Sequence, residues 1–335
     1  MTVPRILEDS LSLPIIGSPM FIVSHPELVI AQCKAGIVGS FPALNARPAA
    51  QLEVWLQRIS TELADYKAAY PERRVAPYAV NQIVHKSNDR LQHDLELCVK
   101  YEAPIVITSL RAPTEAIPAV HSYGGLVFHD VISVRHAEKA IEAGVDGLIL
   151  VCAGAGGHAG TLSPFALVSE IRGFFDGPII LSGAITRGEH VLAAQSMGAD
   201  LAYIGTRFIA TAEANADPEY KAMILGSSAR DIVYTSLFSG VHGNYLGGSI
   251  ANAGLDPKNL PEGDKSKMAF GSGGSSKSKA WKDIWGAGQG VGNIHEVLPV
   301  AEVVRNLAHE YRAAQDRLAD SRWAGRQAAG EPASS

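Results

Sequence analysis

The sequence predicts an α/β fold, a (β/α)8 barrel with a mostly helical subdomain inserted after the eighth strand. Short apolar runs of β type alternate with helix-favouring stretches, and eight such runs fall within roughly the first two hundred residues. The same punctuation recurs: AGVDGLILV (143–151) and MGADLAYIG (197–205) each place a helix-capping glycine and an acidic residue just before a buried strand. A doubly wound sheet shares the alternation; the count of eight selects the barrel.

In order, the strand-type runs are 15–18, 37–40, 75–80, 105–108, 125–128, 147–151, 179–181 and 201–204. Between them, helical stretches occupy 26–35, 49–64, 89–101, 114–122, 134–143, 164–174 and 189–197. After the eighth run the pattern changes. Residues 211–240 read as helical, with Asp217-Pro218 as the start signal. Residues 246–279 are rich in Gly, Ser and Lys and lack periodicity, which reads as a long mobile loop or lid. Helical character resumes near Leu298 and runs to about Trp323. The expected organisation is a barrel from 1–210 and 298–325, an inserted subdomain from 211–297 that covers the site, and a flexible tail from 326–335.

With 335 residues, 47% hydrophobic and 19% charged, the chain has ample material for a globular core. Its net charge of −5 argues against a nucleic-acid partner, which calls for a basic face. No stretch approaches the roughly 20 apolar residues of a membrane span, and the N-terminus carries Glu8 and Asp9 in place of a signal-peptide core. Cys33, Cys98 and Cys152 are widely spaced, without a CxxC pair, and no HxH or HExxH occurs. A cytoplasmic protein without metal, membrane or nucleic acid is the expectation. The C-terminal helix and the insert allow a homodimer, though no residue demands one.

The most informative stretch is 148–161, LILVCAGAGGHAGT, where a strand empties into a Gly-rich turn around His158. Glycine lets a backbone approach a ligand closely, and a histidine held there is a natural general base. The plainer alternative is a structural turn. In a barrel the chemistry sits at the C-terminal ends of the strands, and phosphate commonly binds after strands seven and eight. There the sequence offers Ser182-Gly183-Ala184 and Gly205-Thr206, small residues whose backbone N–H groups can face an anion. Neither matches a P-loop or GxGxxG, which favours a mononucleotide over a Rossmann-bound dinucleotide. Further strand ends add Gly17-Ser18-Pro19-Met20 and Asn81, whose amide can donate and accept. Another small-residue turn, Trp285-Gly286-Ala287-Gly288-Gln289-Gly290, follows later.

Together, GSPM (17–20), Asn81, AGGHAG (155–160), SGA (182–184), IGTRF (204–208) and WGAGQG (285–290) resemble the nitronate monooxygenase family of FMN-binding TIM barrels, across about residues 11–310. The same group of barrels includes FMN-dependent enoyl-acyl-carrier-protein and quinone reductases. The resemblance implies FMN as cofactor, with the main chain around Met20 and the side chain of Asn81 on the isoalloxazine. Ser182, Gly183, Ala184, Gly205 and Thr206 would cradle the phosphate, Gln289 would approach the ring, and His158 would be the catalytic base. Two departures stand out: Ala184 where many relatives have glycine, and Asp130 where some have lysine.

The implied reaction takes a nitroalkane or nitronate and O2 to a carbonyl compound and nitrite, with His158 removing the proton from a neutral nitroalkane. Activity on neutral nitroalkanes should then fall at acid pH. The alternative is an NAD(P)H-dependent reductase of the enoyl or quinone type. A third is a flavin-binding partner in a biosynthetic assembly. Lys265, Lys267, Lys277, Lys279 and Lys282 read as a solvated loop, or as a landing surface for an anionic partner that only a reductase needs. His129 and His242 are placed to line the pocket. His85, His93, His121, His136, His190, His295 and His309 share no spacing that suggests a site.

Overall fold

A computed structural model describes residues 3–263 and 283–321. The lysine-rich stretch and the tail of 326–335 therefore lie outside the described residues. Eight parallel strands form the barrel: β1 (Ile15–Gly17), β2 (Gly39–Pro42), β3 (Tyr78–Val84), β4 (Ile105–Leu110), β5 (Leu126–Val131), β6 (Gly147–Val151), β8 (Ile179–Ser182) and β9 (Leu201–Ile204). Their spatial order is β1-β9-β8-β6-β5-β4-β3-β2, and a parallel bridge between Ile16 and Val38 closes β2 onto β1. The remaining short strand, β7 (Gly157–His158), lies outside the barrel.

Helices follow the strands: α2 (Pro26–Lys34), α3 (Gln51–Ala69), α4 (Leu91–Lys100), α5 (Ala116–His121), α6 (Val134–Ala143), α7 (Pro164–Arg172) and α8 (Gly188–Ser196). A short α1 (Arg5–Glu8) precedes β1, and Leu7 packs with the barrel interior. The ends of α6 show why such helices start and stop where they do. Ser133 caps its first turn by accepting from the His136 N–H, and Gly144 ends it at φ +94°.

Alternation along each strand sorts its side chains into two layers. Val80, Val106, Val127, Leu148, Leu181 and Ala202 face the helices. Ile16, Val38, Ala79, Ile107, Phe128, Ile149 and Ile180 fill the interior. The same alternation puts Asn81, Ser109, Asp130 and Tyr203 at the C-terminal end of that interior, above an apolar floor.

The predicted strands and helices are present with shifted ends. Pro77 has no N–H to give the ladder, so β3 begins at Tyr78 and continues past Asn81 to Val84. Asn81 is consequently a mid-strand residue on the inner face.

The segment after β9 departs more from expectation. Short α9 (Thr206–Ile209) leads to α10 (Pro218–Gly226), capped by Asp217, whose side chain accepts from the Glu219 N–H. Helix does not continue to 240, because Ile232-Val233-Tyr234-Thr235 is β-branched and aromatic and forms strand β10. The aperiodic reading from 246 also fails at its start, where β11 (Gly243–Leu246) and α11 (Gly247–Asn252) form. Strands β10, β11 and β7 make a three-stranded antiparallel sheet, so strand accompanies helix in this segment. The chain returns through α12 (Val300–Ala319), which lies on α8. Among the described residues no helix is long and apolar enough to cross a membrane.

The α8–α12 contact leaves no room for a side chain at Gly188, where a Cβ would sit 2.1 Å from the Leu307 carbonyl oxygen and 2.4 Å from the Tyr311 nitrogen. Gly188→Ala should destabilise the fold by about 1–3 kcal/mol through overpacking. Chemical denaturation would measure this, and an unchanged midpoint would refute so tight an approach.

Candidate active site

The site is assembled from turns at the C-terminal ends of the strands, and the inserted segment locks them together. The Gln289 N–H donates to the Gly154 carbonyl at 2.9 Å, and the Gly288 N–H to Thr206 Oγ1 at 2.9 Å. The Ala287 N–H reaches the Asn244 carbonyl, while Asn244 Nδ2 donates to the Ala155 carbonyl at 2.6 Å. The glycine at 156 is required by this approach, because a Cβ there would lie 2.8 Å from the Gly288 nitrogen. Three sequence-predicted features, the 155–160 turn, Thr206 and the 285–290 turn, thus meet in space.

His158 does not sit in a free loop. Gly157 and His158 form β7 and pair with Asn244 and Gly243 of β11. The ring reaches Ser239, with Nε2 and Oγ 2.9 Å apart. Ser239 Oγ also donates to the Val241 carbonyl, which uses its hydroxyl proton. The Ser239 hydroxyl thus ties the imidazole to the 239–241 turn and fixes the orientation of the ring. Burial pushes the His158 pKa down to about 4. Burial thus favours the neutral ring at pH values where an ordinary histidine begins to charge.

The turns after β8 and β9 have the backbone a phosphate needs. Gly183 adopts φ +150° and Ala184 φ +53°, and among the described residues nothing accepts from either N–H. Ala184 thus holds the left-handed conformation that glycine takes freely, at a cost of about 1–2 kcal/mol. Thr206 opens the short α9, in which the Phe208 N–H already donates to the Gly205 carbonyl at 2.8 Å. A Cβ on Gly154 would contact both Gln289 Oε1 at 3.1 Å and the Ala184 methyl at 3.3 Å, so Gln289 and the cradle share one wall.

Asn81 is less versatile than its type suggests. Its Nδ2 donates to the Ile107 carbonyl at 3.2 Å and to Ser109 Oγ at 2.9 Å. Both hydrogens are spent inside the protein, and a ligand can use only Oδ1, as an acceptor. Met20 is similar. Its N–H goes to Ser24 Oγ and its carbonyl accepts from Asn45 Nδ2, each at 3.0 Å, leaving the thioether beside Gly205.

The two histidines set aside as possible wall residues divide. His129 Nδ1 pairs with Thr108 Oγ1 at 2.8 Å and is influenced by His136 of α6, which places it on the helix side of the sheet, away from the mouth. His242 stacks on Tyr234 at 5.0 Å and its carbonyl accepts from the Ala159 N–H, so it lies beside the His158 turn.

Three polar residues escaped sequence reading. Ser239 and Asn244 lie in an insert without a motif, and only the strand pairing of β11 reveals them. Tyr203 hides inside a hydrophobic run; its inward position follows from alternation once the register is known. Its hydroxyl is buried without a partner, as is Asp130 Oδ1. A buried polar group left so costs about 1–3 kcal/mol.

The nitronate monooxygenase family model matches residues 6–310. A nitronate monooxygenase of Paraburkholderia phytofirmans is 27% identical over 91% of this chain and 94% of its own length. One from Neurospora crassa is 25% identical over 88% of each. The fold is shared with nitroalkane oxidase from Streptomyces ansochromogenes (TM-score 0.76, 22% identity, 93% of this chain and 99% of that one). It is also shared with FabK from Thermotoga maritima (TM-score 0.73, 23% identity, 95% and 99%). With nearly the whole length matched and the Gly-rich turns of the motif set brought together at the barrel mouth, the chain belongs to the nitronate monooxygenase family of oxidoreductases.

Proposed function

We propose that this protein binds FMN and uses it to oxidise nitronates, and nitroalkanes after deprotonation, with O2 as the acceptor and a carbonyl compound and nitrite as products. The observation that supports this most is the meeting of the His158 turn, the Gly183–Ala184 cradle and the 286–290 segment around one mouth. The residues fit the cofactor. Two unengaged backbone N–H groups suit a phosphate, the acceptor-only Asn81 Oδ1 suits a ring N–H, and Gln289 stands at the wall. Bound there, the flavin supplies electron transfer and reaction with oxygen.

The chain's own part is to bind, orient and exclude water. Gly183, Ala184, Gly205 and Thr206 would anchor the phosphate through their main chain. Residues 211–297 would cover the mouth, and the β7–β11 pairing would hold the imidazole over the substrate. Neutral His158 would take the α-proton of a nitroalkane on its imidazole ring. Its lowered pKa keeps the ring neutral at the expense of basicity, and the negative charge formed on the substrate would favour the imidazolium that results.

Two outcomes follow. His158→Ala should lower turnover of neutral nitroalkanes by about 10²- to 10⁴-fold, the range of a general base, and leave turnover of pre-ionised nitronate within a few-fold. Equal losses on both substrates would remove the base role. The acid limb for wild type on neutral nitroalkane should appear near pH 4, since the depressed folded pKa keeps the base neutral above it; a limb centred at 6.5 would contradict this environment.

Anaerobic mixing of the FMN-loaded protein with ethyl nitronate, and separately with NADH and NADPH, tests the whole reading by flavin absorbance. Rapid bleaching by nitronate alone is the expected result. Bleaching by a nicotinamide alone would make the protein a reductase, and failure to bind FMN would exclude both.

A further inference from the structure

The innermost polar layer of the barrel carries a second set of groups that the proton transfer at His158 does not use. Asn81 Nδ2 donates to Ser109 Oγ, and Ser109 Oγ donates to Asp130 Oδ2 at 2.6 Å. Asp130 ends this relay, two hydrogen bonds from the Asn81 amide. Its other oxygen, Oδ1, is inaccessible and has no partner. The Tyr203 hydroxyl, on β9, is also buried and unpartnered, and it is near enough for the two groups to interact electrostatically.

The groups around Asp130 are few. Ser109 approaches from β4 and Tyr203 from β9. On the neighbouring β6 the paired residue is Ile149, and the preceding residue, His129, faces the helices. No cation is among the groups that shift it. Burial raises its pKa to about 7, against a small opposing effect from the Ser109 hydrogen bond. Because Oδ2 is already an acceptor for Ser109, and Asn81 is anchored to the Ile107 carbonyl, the proton of the neutral acid belongs on Oδ1.

We propose that Asp130 is a positioning residue of the flavin site that carries its proton on Oδ1 when neutral and, where ionised, takes one up when negative charge arrives at the barrel mouth. The proposal rests on the flavin reading above. The chemistry balances simply. The substrate, or a chemical reductant in a titration, supplies two electrons to the bound ring; an ionised Asp130 gains one proton from solvent, carboxylate plus proton giving carboxylic acid. No bond to carbon forms or breaks at Asp130.

The test is the reduction equilibrium of the FMN-loaded protein against a reference dye from pH 5.5 to 8.5, for wild type and Asp130→Asn. Above about pH 7 the wild-type equilibrium constant should fall by up to an additional tenfold per pH unit relative to the variant, the signature of one extra proton per two electrons. Below pH 6 the two profiles should run parallel. Parallel profiles throughout would overturn the proposal while leaving the flavin reading intact, and a wild-type protein that binds no FMN would overturn both. Asp130→Ser serves the same comparison if the amide variant does not fold.

The apoprotein gives a second readout. A folded pKa raised above the unfolded value contributes stability at low pH that is lost as pH rises through 7. The melting temperature of Asp130→Asn relative to wild type should therefore climb between pH 5 and 8. A pH-independent difference would show that Asp130 does not hold the proton. A purely structural role would produce neither the climb nor the extra slope.

Discussion

Everything at the mouth of this barrel depends on one close approach, the contact of main chain with main chain where residues 286–290 cross the turn after β6. The Gln289-to-Gly154 hydrogen bond and the absence of a side chain at Gly156 let two backbones touch without intervening atoms. Thr206 joins through its hydroxyl, so three separate turns share one small volume. A packed interior resists gradual deformation, and a displacement of any one turn would have to move the others. The His158 turn is held from the opposite side by β11, which receives it as an edge strand. The geometry available to a ligand is therefore set by chain segments that are far apart in sequence and reach the site by different routes.

The barrel itself was legible because its signals are local. Apolar strands such as Ile105-Val106-Ile107 and capping residues such as Gly144 announce themselves within a few positions. The Gly-rich turns were legible for the same reason, since each is punctuation between a strand and a helix. What sequence could not give was direction. Asn81 was legible as an amide that can donate and accept, but its donor end is committed to Ile107 and Ser109, a fact that depends on the β3–β4 register. Asp130 was visible only as a charge change at a strand end; its missing partner and its relay belong to the assembled layer. His158 was visible as a histidine in a Gly-rich turn, while the lowering of its pKa follows from burial that no local pattern reports.

The insert was the least legible part because its order comes from pairing. Residues 232–235 and 243–246 are short, and neither has a tight-turn signature between them. They are strands because they find each other and then Gly157-His158. In an isolated window the first looked like the end of a helix and the second like the start of a loop. Long-range hydrogen bonding overrode both readings, as it does for most β structure.

Strand β7 joins the two parts of the molecule. The histidine is encoded in the barrel's own sequence, but the frame that orients it is encoded about eighty positions later, with Ser239 bonding a residue 81 places before it. Exchange of the insert between relatives would then transplant more than a lid. A chimera with this barrel and a foreign insert would inherit the donor's imidazole orientation. In such a scaffold the surroundings of this histidine can change through substitutions in β11 and around Ser239, without touching the turn that carries it.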